Sequence, residues 1–159
     1  MKLAALITLM CASVAISADS GPPTDIRGQS RGASRVVVGQ VLDIQSRFAS
    51  NRFGDQLIVS DVLVDVLETM KGSPQSRLYV ALEGGTVGDL TLKVSDLPAL
   101  KPGERAVFFL DGADGTPLLP RGRGRGILKL AQDDRVQGSA LTLGDVRREI
   151  RSALGQGGR

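Results

Sequence analysis

The chain has 159 residues, enough for one domain, and its formal net charge of +3 is too small to point to a particular partner. Hydrophobic residues make up 42% of the sequence but aromatic residues only 3%, so the core must be built from Val, Leu and Ile, which favour strands. There is no histidine, which excludes histidine-based catalytic triads and histidine-ligated metals.

Residues 1–18 are predicted to be a signal peptide. Lys2 precedes an apolar run over residues 3–16 and small residues follow, so we expect cleavage near Ala18 and an exported protein, periplasmic or secreted. The run is shorter than the roughly 20 residues of a membrane span, which argues against an uncleaved anchor. Cys11 lies inside the run without the small preceding residue that lipid attachment normally needs, so the mature chain is expected to have no thiol.

Residues 19–34 are rich in Gly, Pro and Ser, and Ile26 is their single large apolar residue. Such a composition cannot bury enough apolar surface to fold alone, so a disordered leader is predicted. A single domain over residues 35–154 and a disordered tail over residues 155–159 complete the predicted organisation.

The ordered part begins with two predicted strands. Residues 35–44 form the first, with Gly39 as a bend or bulge, and the polar residues 46–55 connect it to the second. Residues 56–70 form a long second strand, because apolar and polar side chains alternate along it. The side chains predicted to face the core are those of Ile58, Ser60, Val62, Val64 and Val66. Those of Asp61 and Asp65 are predicted to face solvent.

The stretch over residues 78–110 organises the rest of the chain. Residues 78–82 and 90–94 alternate with period two and are predicted to pair as a β-hairpin. The turn between them contains glycines that can adopt the positive φ values of a chain reversal, namely Gly84, Gly85 and Gly88.

A corner follows this hairpin, because Pro98 lacks a ladder donor and Pro102-Gly103 forms a turn. Residues 105–110 then form a strand of continuous apolar residues, which indicates burial on both faces. Glu104, at the start of this strand, is interpreted as a turn carboxylate that accepts backbone N–H groups or pairs with an arginine such as Arg105. A ligand contact is the alternative.

The C-terminal part contains a short strand pair and a helix. Residues 118–119 and 126–130 are predicted to pair around the run RGRGRG. Thr142 caps the helix with Asp145 as its partner, and Gly155 ends it. The apolar residues that recur at helical spacing are Leu143, Val146, Ile150 and Leu154.

These elements predict an all-β domain with one C-terminal helix, because short strands alternate with turns and no βαβ alternation occurs. We expect a small, strongly bent antiparallel sheet or a closed five- to six-stranded OB-like barrel, with the helix plugging one end.

Several motifs resemble those of a widespread family of exported bacterial domains of unassigned activity, expected to be small OB-like barrels. The likeness covers about residues 36–150 and consists of VVVG, EGGTVG, LKVSDLP, PGERAVFFL and a late G-x-x-x-G. Leu100, in place of an aromatic residue, and Arg125, in place of glutamine, depart from the pattern. The resemblance carries over no catalytic residue. The residues to which it gives structural roles are Gly84, Gly85, Gly88, Pro98, Gly103 and Glu104.

The sequence leaves little catalytic chemistry open. It contains neither an S-x-x-K pair nor a phosphate-binding loop of the G-x-x-x-x-G-K-[ST] type. The loop at residues 111–115 lacks the spacing of a calcium site, and neither a metal nor a cofactor is expected. Acid–base catalysis by two carboxylates remains formally possible, and the candidates are Glu83, Asp89, Asp96 and Glu104.

The run RGRGRG is the most specific candidate for a binding site. In an extended segment, Arg121, Arg123 and Arg125 share one face and can bind a phosphate, a sulfate or an acidic polymer. The alternative is that the glycines allow close backbone packing at a corner and the arginines form a solvated face. No aromatic residues interleave with the arginines, which argues against a nucleic-acid partner.

The sequence therefore predicts an exported, non-enzymatic binding or interaction module of the bacterial envelope or periplasm. Its expected partner is another envelope or secreted protein, or an anionic polymer. An inhibitor or accessory domain of an extracellular peptidase is a second hypothesis, made by fold analogy with OB-like inhibitors. A carboxylate-based hydrolase is the third.

Overall fold

The computed structural model describes residues 25–50, 53–113 and 115–155. The predicted signal peptide, residues 19–24 of the leader and residues 156–159 of the tail lie outside these ranges. The described chain is mostly β with a C-terminal helix, as predicted. The elements are α1 (Ile26–Gly32), β1 (Arg35–Ser50), β2 (Gln56–Lys71), β3 (Arg77–Glu83), β4 (Gly85–Val87), β5 (Leu90–Leu92), β6 (Arg105–Asp111), β7 (Leu119–Pro120), a 3₁₀ turn (Arg123–Gly126), β8 (Ile127–Leu130) and α2 (Leu143–Gly155).

Most of the strands form one antiparallel sheet in the spatial order β3-β2-β1-β6-β7, and β8 also pairs with β6. A separate two-stranded sheet pairs β4 with β5. The hydrogen-bonded path of the main sheet is open. One isolated parallel bridge links Val80 of β3 to Leu118, the residue before β7. The predicted antiparallel sheet is therefore confirmed.

The hairpin of β1 and β2 is the longest pairing of the sheet and runs from Val36 opposite Lys71 to Ser50 opposite Gln56. The alternation predicted for β2 is confirmed, with Ile58, Ser60, Val62 and Val64 buried. The predicted bulge at Gly39 is also confirmed by a shift of register there. The polar connection was predicted to begin at residue 46, which is wrong, because pairing with β2 keeps residues 46–50 extended despite their polar sequence.

The predicted hairpin of residues 78–82 with 90–94 is wrong in its pairing. β3 pairs with β2, and β4 rather than β3 pairs with β5. The positive φ values expected of the glycines are confirmed, at +100° for Gly84, +133° for Gly85 and +58° for Gly88. Two consecutive residues of this kind, Gly84 and Gly85, turn the chain out of the main sheet, and so the strand that follows has a new partner.

Two clusters of buried apolar residues lie on opposite faces of the main sheet. Phe108 belongs to the inner cluster with Val37, Val62 and other residues of β1 to β3. Phe109 belongs to the outer cluster, between the sheet and the two helices. All residues from Ala106 to Leu110 are fully buried, which confirms the prediction that this strand is covered on both faces.

The prediction that the C-terminal helix plugs one end of a barrel is wrong. The helix α2 lies on the outer face of the sheet. Val146 and Ile150 pack into the outer cluster, and α2 also contacts α1. The predicted cap is confirmed, because the Thr142 backbone N–H donates to Asp145 Oδ2 at 2.9 Å and the Asp145 backbone N–H donates to Thr142 Oγ1 at 3.2 Å. None of the helices in the described ranges is long and apolar enough to cross a membrane.

The prediction of a disordered leader is wrong for residues 25–34, which contain α1. Asp25 caps the helix by accepting from the Gly28 backbone N–H at 2.8 Å, and Ile26 is buried in the outer cluster. At the other end, Lys71 Nζ donates to three backbone carbonyl oxygens at 2.6–3.0 Å, those of Ser30, Arg31 and Ala33. A cation is favourable at this end of a helix. These contacts come from distant residues, so the local composition did not reveal them.

Candidate functional site

A half-open cavity of about 550 Å³ lies on the inner side of the sheet. Its floor is formed by β1, β2 and β3, through Ile44, Val62 and Leu82. The small sheet of β4 and β5 covers one side, and residues 93–100 form the other. Cavities in this range of volume, lined mainly by apolar groups, are typical of small-ligand sites.

Two serines lie in the floor of the cavity and satisfy each other. Ser60 Oγ donates to the backbone carbonyl of Gly84 at 2.6 Å, and the hydroxyls of Ser46 and Ser60 are 2.9 Å apart. Gly85 lies directly above this pair, and a Cβ atom there would overlap both hydroxyl oxygens. The glycine therefore lets β4 cross close above the sheet and form the roof of the cavity.

The wall at residues 93–100 is held by apolar contacts. Leu97 and Leu100 are half-buried and pack against the inner cluster, and Pro98 lies between them in the lining. The predicted corner at Pro98 therefore has a place in the candidate site, although it was assigned only a structural role. Leu100 also lines the cavity.

Arg123 anchors this wall to the sheet. Its Nη2 donates to Glu83 Oε2 at 3.0 Å and to Asp96 Oδ1 at 3.2 Å, and its Nε donates to the other Asp96 oxygen. These hydrogen bonds lower the pKa of Asp96 and raise that of Arg123. Arg123 also has a positive φ of +60°, which residues other than glycine rarely adopt.

The run RGRGRG is not extended, so the condition under which its three arginines would share one face is not met. Residues 121–126 bulge out opposite Phe109, because Pro120 pairs with Leu110 and Ile127 pairs with Phe108. The strand pairing predicted between the flanks of the run is likewise wrong, since β7 and β8 both pair with β6.

The three arginines of the run have different surroundings. Arg121 pairs with Asp111 at 3.0 Å, whereas Arg123 holds Glu83 and Asp96. Arg125 is exposed and forms no ion pair with a residue of the described ranges. The glycines do allow close packing, as in the alternative interpretation, because a Cβ atom on Gly124 or Gly126 would overlap a backbone carbonyl oxygen.

The four candidate carboxylates do not converge on one point. Glu83 and Asp96 share Arg123, whereas Asp89 lies exposed in the turn between β4 and β5. Glu104 accepts from the Lys101 backbone N–H at 2.8 Å and pairs with Lys129 at 2.8 Å.

The prediction that Glu104 is a turn carboxylate is confirmed, although its cationic partner is Lys129 and not Arg105. Arg105 instead pairs with Asp134 at 2.8 Å. The turn itself has Gly103 at a φ of +87°, as its Pro-Gly sequence predicts.

The cavity was not predicted from the sequence, because its lining comes from four separate stretches of the chain. Ser60 offered one signal, since a polar residue on the buried parity of β2 needs a hydrogen-bonding partner inside the fold. Within the residues that the structure describes, no group of acidic or cysteine side chains is arranged to hold a metal ion. No model of a known protein family matches the sequence, and no curated protein matches it significantly.

Proposed function

We propose that the protein is an exported, non-enzymatic binding module of the bacterial envelope or periplasm, which holds the apolar part of a ligand in the cavity beneath β4 and β5. The cavity of about 550 Å³ is the observation that carries the proposal. Aliphatic side chains dominate its lining, and the two serines of its floor already bond to each other and to Gly84. Apolar contact is therefore the main interaction that the site offers.

The proposal includes the finer interpretation of the fold as an OB-like barrel. Three features support it: the meander of β1, β2 and β3, the return of β6 to β1, and the parallel bridge of Val80 with Leu118 between the sheet edges. The backbone N–H of Leu118 donates to Tyr79 at 2.8 Å, and that of Ala81 donates to Leu118 at 2.9 Å. The cavity then lies at the mouth of the barrel, where ligands of such folds commonly bind.

The binding test uses the neutral fluorescent probe N-phenyl-1-naphthylamine, which brightens in apolar surroundings. We expect saturable binding to the parent protein and at least a tenfold weaker affinity for Ala99→Trp, because Ala99 lines the cavity and an indole there would occupy part of its volume. Leu119→Trp is the matched control, since Leu119 is exposed on β7, outside the lining. Equal binding by Ala99→Trp and the parent, with both folded by circular dichroism, contradicts the proposal.

An inhibitor or accessory domain of an extracellular peptidase is the second candidate, and the end of the β1–β2 hairpin favours it. Phe48 and Phe53 lie there with 48% and 74% of their surface exposed, whereas Phe108 and Phe109 are fully buried. Exposed aromatic side chains are common anchors at protein interfaces. A panel of secreted peptidases, assayed with the parent and with Phe53→Ser, tests this candidate. Inhibition that Phe53→Ser does not weaken argues against the hairpin as the contact.

Binding of an anionic polymer at the arginine run is the third candidate. Arg125 alone among the three arginines is exposed without a carboxylate partner in the described ranges. We expect binding to heparin, where it occurs, to have a shallow salt dependence that Arg125→Gln removes.

A further inference from the structure

We propose that the ligand of the cavity is an anionic amphiphile with one aliphatic chain and a carboxylate head, and that Lys93 provides the positive charge for the head. This inference rests on the proposed function and names the chemical class of its ligand. It follows from the charges of the cavity lining, and from the position of those charges relative to the apolar floor.

Two charged residues, Glu83 and Lys93, line the cavity. Glu83 is engaged by Arg123, whose Nη2 lies 3.0 Å from Glu83 Oε2. The Lys93 side chain is exposed and forms no hydrogen bond or ion pair with any residue in the described part of the chain. The unpaired charge in the cavity lining is therefore the positive charge of Lys93.

The apolar and polar parts of the lining are segregated, as an amphiphile requires. The floor and inner wall offer Ile44, Val62, Leu82 and Leu97, which are buried or half-buried. Lys93 directly follows β5, which forms the outer, exposed strand of the roof. An aliphatic chain can lie on the floor while its head group stays at the open side near Lys93.

A carboxylate suits this arrangement better than a neutral or cationic head. An ammonium head would face Lys93 while Glu83 is already paired, and a hydroxyl head would gain no charge interaction. Because Lys93 is exposed, its contribution should be small, and we expect decanoate to bind about two- to fivefold more tightly than 1-decanol. Decyltrimethylammonium should bind more weakly than either.

The test is displacement of N-phenyl-1-naphthylamine by these three amphiphiles below their micelle concentrations, at two salt concentrations. Lys93→Gln should lower the affinity for decanoate to that for 1-decanol and leave 1-decanol unchanged. Lys101→Gln is the matched control, because Lys101 is also exposed but does not line the cavity. Octanoate should bind more weakly than decanoate, by about fourfold for each methylene that leaves the cavity.

The outcomes separate this inference from the function on which it rests. If the probe and 1-decanol bind but decanoate shows no advantage, or if Lys93→Gln keeps that advantage, the anionic head is overturned while the apolar site stands. If neither the probe nor any amphiphile binds the folded parent protein, the proposed function itself fails.

Discussion

At the scale of single residues, Arg123 combines an unfavourable backbone with two favourable contacts. A positive φ costs a residue with a side chain about 1–2 kcal/mol, since its Cβ approaches the carbonyl oxygen. The guanidinium meanwhile joins Glu83 at the end of β3 to Asp96 in the cavity wall. Each of these contacts is exposed and is individually modest. The position of the wall therefore depends on a residue whose own conformation is strained.

The first prediction separates the strain from the ion pairs. Arg123→Gln keeps the strained backbone and loses both ion pairs, whereas Arg123→Gly loses the ion pairs and also relieves the strain. We expect Arg123→Gly to be the more stable variant by about 1 kcal/mol in urea unfolding. If Arg123→Gln is as stable as Arg123→Gly, residue 123 is not held at positive φ in solution.

The second prediction compares two glycines of the β4–β5 hairpin, Gly85 and Gly88. Gly85→Ala should lower the free energy of unfolding by at least about 2 kcal/mol, because a φ of +133° is nearly restricted to glycine and a Cβ would overlap Ser46 and Ser60. Gly88→Ala should cost only about 1 kcal/mol, since open space surrounds its Cβ. Equal losses would show that β4 does not cross so close above the serines.

At the scale of elements, α1 illustrates a helix that distant contacts determine. An isolated helix of seven residues is not stable in water, because too few hydrogen bonds offset the cost of nucleation. Ile26 in the outer cluster, the ion pair of Arg27 with Glu149 in α2, and Lys71 at the C-terminal end hold it in place. The guanidinium of Arg121 also lies directly over Gly32.

The third prediction is that Lys71→Met loosens α1. Three carbonyl oxygens lose a charged donor, and we expect a loss of about 1–3 kcal/mol in the free energy of unfolding. Trypsin should then cleave faster after Arg27 and Arg31 in the folded protein. Lys101→Met is the control, because the Lys101 side chain is exposed and only its backbone N–H bonds to Glu104. Unchanged cleavage would mean that Lys71 does not hold the helix.

The elements also show which kinds of information a sequence pattern contains. The alternation along β2, the continuous apolar run of β6 and the Thr142 capping box depend on neighbouring residues, so they were predictable. The partner of residues 90–92 was not, since the choice between β3 and β4 depends on how Gly84 and Gly85 turn the chain. The cavity was likewise hidden, because Lys93 joins Ser46 and Ser60 in one lining only after β4 and β5 fold over the sheet.

At the scale of the whole molecule, stability should depend on pH mainly in acid, since the sequence has no histidine to titrate near neutrality. Hydrogen bonds from the Thr142 backbone N–H and hydroxyl lower the pKa of Asp145 to about 2, and Arg27 lowers the pKa of Glu149. Folded-state pKa values below those of the unfolded chain mean that the ionised carboxylates stabilise the fold.

The fourth prediction follows from that sign. The contribution is complete above about pH 5 and is lost as the pH falls through about 4 toward 2, because the unfolded carboxyls then bind protons first. The melting temperature should be nearly constant from about pH 5.5 to 8 and fall below about pH 4. Asp145→Asn should melt lower at pH 7 and lose less on acidification. An identical acid profile for this variant would argue against the cap as a source of the effect.

The consecutive residues Phe108 and Phe109 send their side chains into different clusters, and Val37 and Val38 of β1 do the same. Neither strand can leave one cluster while it remains in the other, so the two clusters should unfold together. A form that keeps only the helix-covered face should not accumulate, and unfolding should be one cooperative event. Amide hydrogens of β1 and β6 should therefore exchange with solvent only through global opening, with equal free energies on both faces.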